Sequence, residues 1–329
     1  MTKLPMIRTT ERREFKRCPQ RWWWAWREGL RPKGQISDAL WFGIGIHLAL
    51  AHYYAPGRKR RKDMVDLWDD YCDRDPLSRL ILTSKEELGL EDEYVQAKLL
   101  GRAMLLGYMV HYRGDKDWDV VSTEEPFQVN ILDEDGEPCA IFCSTFDGVY
   151  WDKADKSYKL MEHKTAKAIS TGHLPMDDQG GAYWAVATSV LRDKGIISGR
   201  ESIKGINYNF LLKRLPDDRP RNADGQYLNK DGSVSKQQPK PLFERHFVRR
   251  TPKQQQVQLQ RIATEVEAMN EFRYRNLALY KNPTRDCAWD CQFKQMCELH
   301  DSGADWKEFK SAVYNREDPY KEHRKSAQE

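Results

Sequence analysis

The spacing of apolar positions changes along the chain, and the changes separate helical from extended regions. Residues 9–28, TTERREFKRCPQRWWWAWRE, predict a helix from about Thr10, with Thr9 or Thr10 able to cap it. Residues 38–55, DALWFGIGIHLALAHYYA, predict an apolar helix with two glycines that permit close packing and with His47 at its middle. Residues 63–114 read as two or more helices, because Tyr94, Leu99, Leu100, Met104, Leu105 and Tyr108 recur at helical spacing. From Trp118 the period falls to two. Strands are predicted over 119–122 and 127–132, joined through Glu124-Glu125-Pro126, and over 139–151. Residues 144–165, STFDGVYWDKADKSYKLMEHKT, read as a β-hairpin that reverses at DKADKS. A helix from Asp177 or Asp178 to about Arg192, strands over 204–213 and 242–248, and a helix from Lys253 to about Tyr280 follow. Together they predict an α/β fold, a sheet of about five strands flanked by helices. Residues 214–241 read as a long, mobile basic loop, and the tail after Asp301 as one more helix that then frays.

Composition narrows the class. With 329 residues, 40% hydrophobic and 32% charged, the chain is an ordinary globular sequence able to bury a large core. No apolar run approaches the ~20 residues that span a bilayer, and the first residues lack the apolar centre of a signal peptide, so a cytoplasmic location is expected. The net charge of +4 hides an uneven distribution. Residues 1–33 carry ten Lys/Arg against three Glu, and residues 192–261 carry sixteen against seven acids. Residues 63–93 reverse the sign, with eleven acids against three bases. Basic blocks on both sides of the hairpin, with the basic run 58–62, fit a phosphate-backbone track. The chain has no G-x-x-x-x-G-K-[ST] loop, which disfavours a helicase.

Two motifs carry chemistry. In the hairpin, alternation puts Glu162 and Lys164 on one face of a strand and His163 on the other, with Asp147 beside them across the ladder. Paired carboxylates repel unless a cation lies between them, and oxygen ligands suit Mg²⁺ or Mn²⁺. A neighbouring lysine can then orient a water or stabilise charge developing on a phosphate. Near the other end, Cys287-A-W-D-Cys291-Q-F-K-Q-M-Cys297 gathers three thiols in a short aromatic segment, a pattern that binds an iron–sulfur cluster or Zn²⁺. Seven cysteines, an odd number, argue against a disulfide framework. Cys139 and Cys143 share a strand face and read as buried apolar residues, while His52 reads as structural and Cys72, in the acidic helix, is left out of the thiol set.

The order Asp147, Glu162-His163-Lys164, with His47 upstream and Gln179-x-x-x-Tyr183 downstream, resembles the PD-(D/E)xK nuclease superfamily. Within it the chain is similar to the RecB-like branch, which includes AddB-type nuclease domains and CRISPR-associated exonucleases. The resemblance implies a restriction-endonuclease-like core in which His47, Asp147 and Glu162 hold the metal, with the His163 carbonyl a further ligand. Lys164 is then the catalytic lysine, Gln179 and Tyr183 contact a DNA phosphate, and Glu125 is the acid supporting the first core strand. Helices over 63–114 would cover the site. Cys18, in F-K-R-C-P, stands where iron–sulfur members supply the fourth ligand, so that Cys18, Cys287, Cys291 and Cys297 would hold a 4Fe–4S cluster, with Zn²⁺ the alternative; the three residues between Cys287 and Cys291 depart from the usual two. The expected organisation is one nuclease domain over 1–329: a cluster-ligand segment (1–36), a helical region (37–117), the core (118–282) and the cysteine segment (283–301). The implied function is an exonuclease acting at DNA ends and favouring single strands, in recombination, repair or phage DNA processing. A partner-dependent accessory factor beside a recombination or integrase-type protein, or a catalytically weak DNA-binding protein, is the alternative.

Overall fold

A computed structural model describes residues 4–34, 37–57, 63–275 and 277–325. The basic run 58–62 lies outside the described residues. A short strand β1 (Met6–Ile7) leads into α1 (Thr9–Arg17), α2 (Pro19–Trp22), a π-helical turn (Trp23–Arg27) and β2 (Leu30–Pro32). Then come α3 (Asp38–Tyr53), α4 (Met64–Arg74), α5 (Pro76–Glu87) and α6 (Glu91–Tyr112). Three long strands follow, β3 (Trp118–Leu132), β4 (Pro138–Asp152) and β5 (Ser157–Ala166), then α7 (Asp178–Asp193), β6 (Ile203–Leu212), β7 (Phe243–Arg249) and α8 (Pro252–Tyr274). The remainder holds α9 (Cys287–Asp290), α10 (Lys294–Ser302), α11 (Trp306–Val313), β8 (Tyr314–Arg316) and α12 (Lys321–Lys325). Among the described residues no helix is long and apolar enough to cross a membrane.

The central sheet is mixed and runs β1-β4-β5-β6-β7, with β3 also paired to β4. Both faces are covered, so its middle strands are apolar at neighbouring positions as well as alternate ones. Leu160 and Phe210 enter a core built with α1, α2, α7 and α8. Their neighbours Met161 and Leu211 enter a second core made by α3 to α6. Trp68 of α4 is fully buried in that second core, and a Cβ on Gly45 of α3 would come within 2.6 Å of it. Gly45 therefore sets the approach of α3 to α4, whereas Gly43 faces open space toward Thr165.

Several local expectations are revised. The helix expected over 9–28 breaks at Cys18, whose backbone is extended, because Pro19 disfavours helical geometry in the residue before it. Trp22 enters the first core and Trp24 a third one with Leu30, Phe293, Met296 and Tyr314, so the tryptophan run divides between two cores. The two strands expected around Glu124-Glu125-Pro126 form one strand, β3; it pairs only with β4, and such an edge tolerates Pro126. The helix α8 stops at Tyr274 instead of reaching Tyr280, whose carbonyl accepts the Gln20 amide at 3.2 Å. Among the described residues the tail is tied down: β8 pairs antiparallel with β2, and the Tyr320 hydroxyl reaches the buried Glu11. In 214–241 only the isolated bridges Arg221–Tyr227 and Leu228–Val234 form among the described residues.

Candidate active site

The hairpin strands β4 and β5 pair from Asp152–Ser157 up to Gly148–Met161 and then part. Beyond that point β5 continues beside β6 through Ala166, while β4 takes β1 as its neighbour at Ile141 and Phe142. The sheet forks, and Asp147 and Glu162 are the first residues past the last pair. Strict alternation in β4 also fails here, since Phe146 and Val149, three apart, enter the same core. Asp147 Oδ2 accepts the His163 amide at 2.7 Å, which satisfies a backbone donor that the parted ladder leaves open.

Helix α3 crosses this fork and presents His47, whose Nδ1 lies 3.5 Å from Asp147 Oδ1. The third member is Glu124 of β3, which the sequence reading passed over in favour of Glu125. Glu124 has φ +46, and donor atoms of His47, Glu124 and Asp147 all lie within 4.8 Å of one another. Glu125 turns away, accepting Lys194 Nζ and Ser122 Oγ, both at 2.5 Å. The left-handed backbone at Glu124, rare for this residue type, accompanies the exchange of one carboxylate for the next.

The electrostatics report crowding. Burial and the Asp147 charge push Glu162 up to about 7, and burial with the same charge pushes Glu124 up to about 7. Burial opposes the charged form of both His47 and Asp147, yet their mutual attraction holds His47 at about 9 and Asp147 at about 2. Three carboxylates around one imidazole hold their protons too tightly or too loosely for isolated groups, and a divalent cation relieves that. One imidazole and several carboxylate oxygens are a donor set that fits such an ion.

On the other side of β5, Lys164 Nζ donates to Glu162 Oε1 at 2.6 Å and to Gln179 Oε1 at 3.3 Å, and Gln179 Nε2 donates to Glu162 Oε1 at 3.0 Å. Lys164 is buried enough to disfavour its charge, but Glu162 overrides this and raises its pKa. Gln179 comes from the first turn of α7, which Asp177 caps by accepting the Gly180 amide at 2.8 Å. A Cβ at Gly180 would fall 2.0 Å from the Tyr208 hydroxyl, so glycine lets α7 sit against β6 at this depth. Tyr183, one turn on, is buried against Phe127, Phe142 and Phe146; its hydroxyl is 2.6 Å from Ser144 Oγ and 3.5 Å from Gln179 Nε2.

His163 points to the opposite face, as alternation requires. Its ring lies near that of His47, with 5.7 Å between centroids, and its Nδ1 is 2.8 Å from Asn209 Nδ2. Burial pushes it down to about 3, so the ring is neutral and Nδ1 accepts. Asn209 Oδ1 in turn accepts Arg245 Nε at 3.2 Å. Arg245 forks onto Asp115 at 2.5 and 2.9 Å, donates to the Tyr54 and Tyr108 hydroxyls at 2.9 Å, and stacks on Tyr112 and Trp118. The sequence offered no local sign of this network, whose members come from five separate elements and two loop positions.

The far cysteines and Cys18 come near one another. Arg17 pairs with Asp290, and Arg21 donates to the Asp290 carbonyl at 2.9 Å. The Asn282 amide donates to Cys18 Sγ at 3.5 Å, and the Thr284 amide to Cys287 Sγ at 3.4 Å. Burial raises Cys291, and Cys287 and Cys18 lie near enough to raise it further; burial raises Cys297, with Cys291 adding to it. Cys143 is buried as expected and Cys139 is half-buried. His52 lies 3.1 Å from Asp63.

A family model for the PD-(D/E)XK nuclease superfamily matches residues 9–298, a span that runs from α1 to α10 and includes every residue of the fork. No curated protein matches the chain.

Proposed function

We propose, from the premise that this chain belongs to the PD-(D/E)XK nuclease superfamily, that it hydrolyses DNA phosphodiester bonds at the fork between β4 and β5. The observation that carries the reading is the juxtaposition, at one parting of the sheet, of Asp147, Glu162, Lys164 and His47 with Glu124. His47, Glu124, Asp147 and Glu162 would hold Mg²⁺ or Mn²⁺, with the His163 carbonyl a further ligand. When bound, that ion supplies positive charge against the negative charge that grows on the phosphate oxygens and the leaving group. Lys164 stays protonated beside Glu162, so it acts as a donor that orients the attacking water and not as a base. Gln179, locked between Lys164 and Glu162, fixes both side chains, and Tyr183 braces Gln179 from the core.

Within this reading the enzyme is an exonuclease acting at DNA ends with a preference for single strands, in recombination, repair or phage DNA processing. Residues 1–329 act as one nuclease domain. Cys18, Cys287, Cys291 and Cys297 would bind a 4Fe–4S cluster that clasps α2 to α9 and α10. Four thiols, amide donors to two of them, and a surround of Trp24, Phe293 and Met296 suit such a cluster, with a four-thiolate Zn²⁺ site the alternative.

The test is digestion of end-labelled single- and double-stranded DNA in Mn²⁺ by protein purified without oxygen, beside Lys164→Ala. Cleavage by the wild type, abolished in the variant while DNA affinity is retained, is expected. Equal cleavage by both removes Lys164 from the chemistry. In the same preparations, a brown protein that Cys291→Ser bleaches is expected, and a colourless, iron-free wild type ends the cluster assignment.

A further inference from the structure

Lys167 and Lys213 stand where two neighbouring strands end. Ala166 of β5 and Leu212 of β6 are partners in the parallel ladder, and the Lys213 amide donates to the Ala166 carbonyl at 2.7 Å, so the next residues emerge side by side. Lys213 is half-buried with its Nζ 4.7 Å from the centre of the Phe42 ring. Burial lowers its pKa, and the charge of Lys167 lowers it further, with no carboxylate acting against either. Among the described residues neither lysine forms an ion pair. This is unusual in a chain where most buried or half-buried cations have an acid, such as Lys85 between Asp38 and Glu93, 2.7 Å from each.

Both lysines line a cavity of about 240 Å³ together with Asp38, Ala39 and Phe42 from the first turn of α3. The acids on its wall, Asp38 and Glu93, are the two already engaged by Lys85. The amino end of a sixteen-residue helix therefore opens onto two unpaired ammonium groups. A half-buried ammonium, Lys213, beside the like charge of the exposed Lys167 raises the free energy of the site unless an anion shares them. Lys167 lies just past the end of β5, three residues and roughly 10 Å along the strand from Lys164.

We propose that Lys167 and Lys213 form a subsite for a second phosphate of the DNA strand whose scissile phosphate lies at the β4–β5 fork. The proposal rests on the nuclease reading above. The subsite holds the strand in register, so Lys167 and Lys213 are positioning residues and not members of the hydrolytic set. A phosphate at the end of the strand and one within it share this chemistry.

The experiment measures binding of fluorescein-labelled single-stranded oligonucleotides, with and without a terminal phosphate, to the full chain in Ca²⁺ across a series of salt concentrations. Wild type is compared with Lys167→Gln, Lys213→Gln, the double variant and Lys213→Arg. Each lysine removed should lower the slope of log affinity against log salt by about 0.7, the value for one single-strand phosphate contact. Lys213→Arg should keep the slope. A loss confined to oligonucleotides with a terminal phosphate assigns the subsite to the strand end; an equal loss on both assigns it to an internal phosphate. A double variant whose affinity and slope match the wild type overturns the proposal, and Lys167→Gln, at an exposed position, guards against a misfolded Lys213 variant. Cleavage by the same preparations in Mn²⁺ separates the two claims. Wild type that binds with the expected slope but never cuts refutes the nuclease reading alone, and active enzyme with unchanged slopes refutes the subsite alone.

Discussion

Arg245→Met should be among the most damaging single changes outside the metal-binding groups. Arg245 meets Asp115 through both terminal nitrogens, and the Asp115 side chain is only 7% exposed. The same guanidinium lies 3.4 Å from the centre of the Tyr112 ring and 4.0 Å from that of Trp118. Methionine replaces the packing but leaves a buried carboxylate with no cation, a loss of about 3–5 kcal/mol. With a urea dependence of about 3 kcal/mol per molar, the unfolding midpoint should fall by roughly 1 M or more. Combining it with Asp115→Asn removes the stranded charge and should recover more than half of that loss. Because Asn209 links Arg245 to His163, the single variant should also cut at a reduced rate under conditions where it remains folded. Urea titrations followed by tryptophan fluorescence measure the first effect, and the Mn²⁺ cleavage assay the second. A midpoint shift below about 0.3 M, or a double variant as unstable as the single one, refutes the reasoning.

Glu124→Gln should weaken Mn²⁺ binding about tenfold or more, read by calorimetric titration of the protein, whereas Glu125→Gln should leave it intact and lose only the contacts to Lys194 and Ser122. Equal effects of the two would return the site to the neighbour first expected. Asp178 gives a pH dependence. Burial works against its charge, but Arg12, Lys16 and Gln258 hold it down from 3.8 to about 2. Its contribution is complete above pH 4 and is lost as pH falls through 2, so Asp178→Asn should flatten the decline in thermal midpoint over that window; an unchanged acid limb refutes the assignment.

The parts of the site that lie close together in sequence were legible in it. Glu162 and Lys164 share a strand and Gln179 and Tyr183 a helix turn, so period placed each pair on a common face, whereas Asp147 sits past the parting of the hairpin, where alternation in β4 fails. Glu124 was not legible, because its selection over Glu125 coincides with a positive φ that no local residue pattern announces. Pro19 did announce the break at Cys18, and the apolar spacing around it concealed the signal. The pairing of β2 with β8, and the end of α8 short of Tyr280, depend on contacts between segments more than 250 residues apart, where local pattern has no purchase.

That long-range closure bears on how the protein folds as it is made. Glu11 is fully buried, and its carboxylate is met by Trp22, Arg273 and Tyr320; Arg12, equally buried, is met by Asp178 and Glu265. Buried charges of this kind cannot settle until their partners exist. Helix α1 is made before these partners and must wait, solvated, through the synthesis of more than 250 further residues before its pocket is complete. The contacts with the greatest sequence separation are then the last to form, which places the seating of α1 late in folding. During that interval the tryptophan run 22–26 stays exposed, which makes it a segment of the nascent chain open to aggregation.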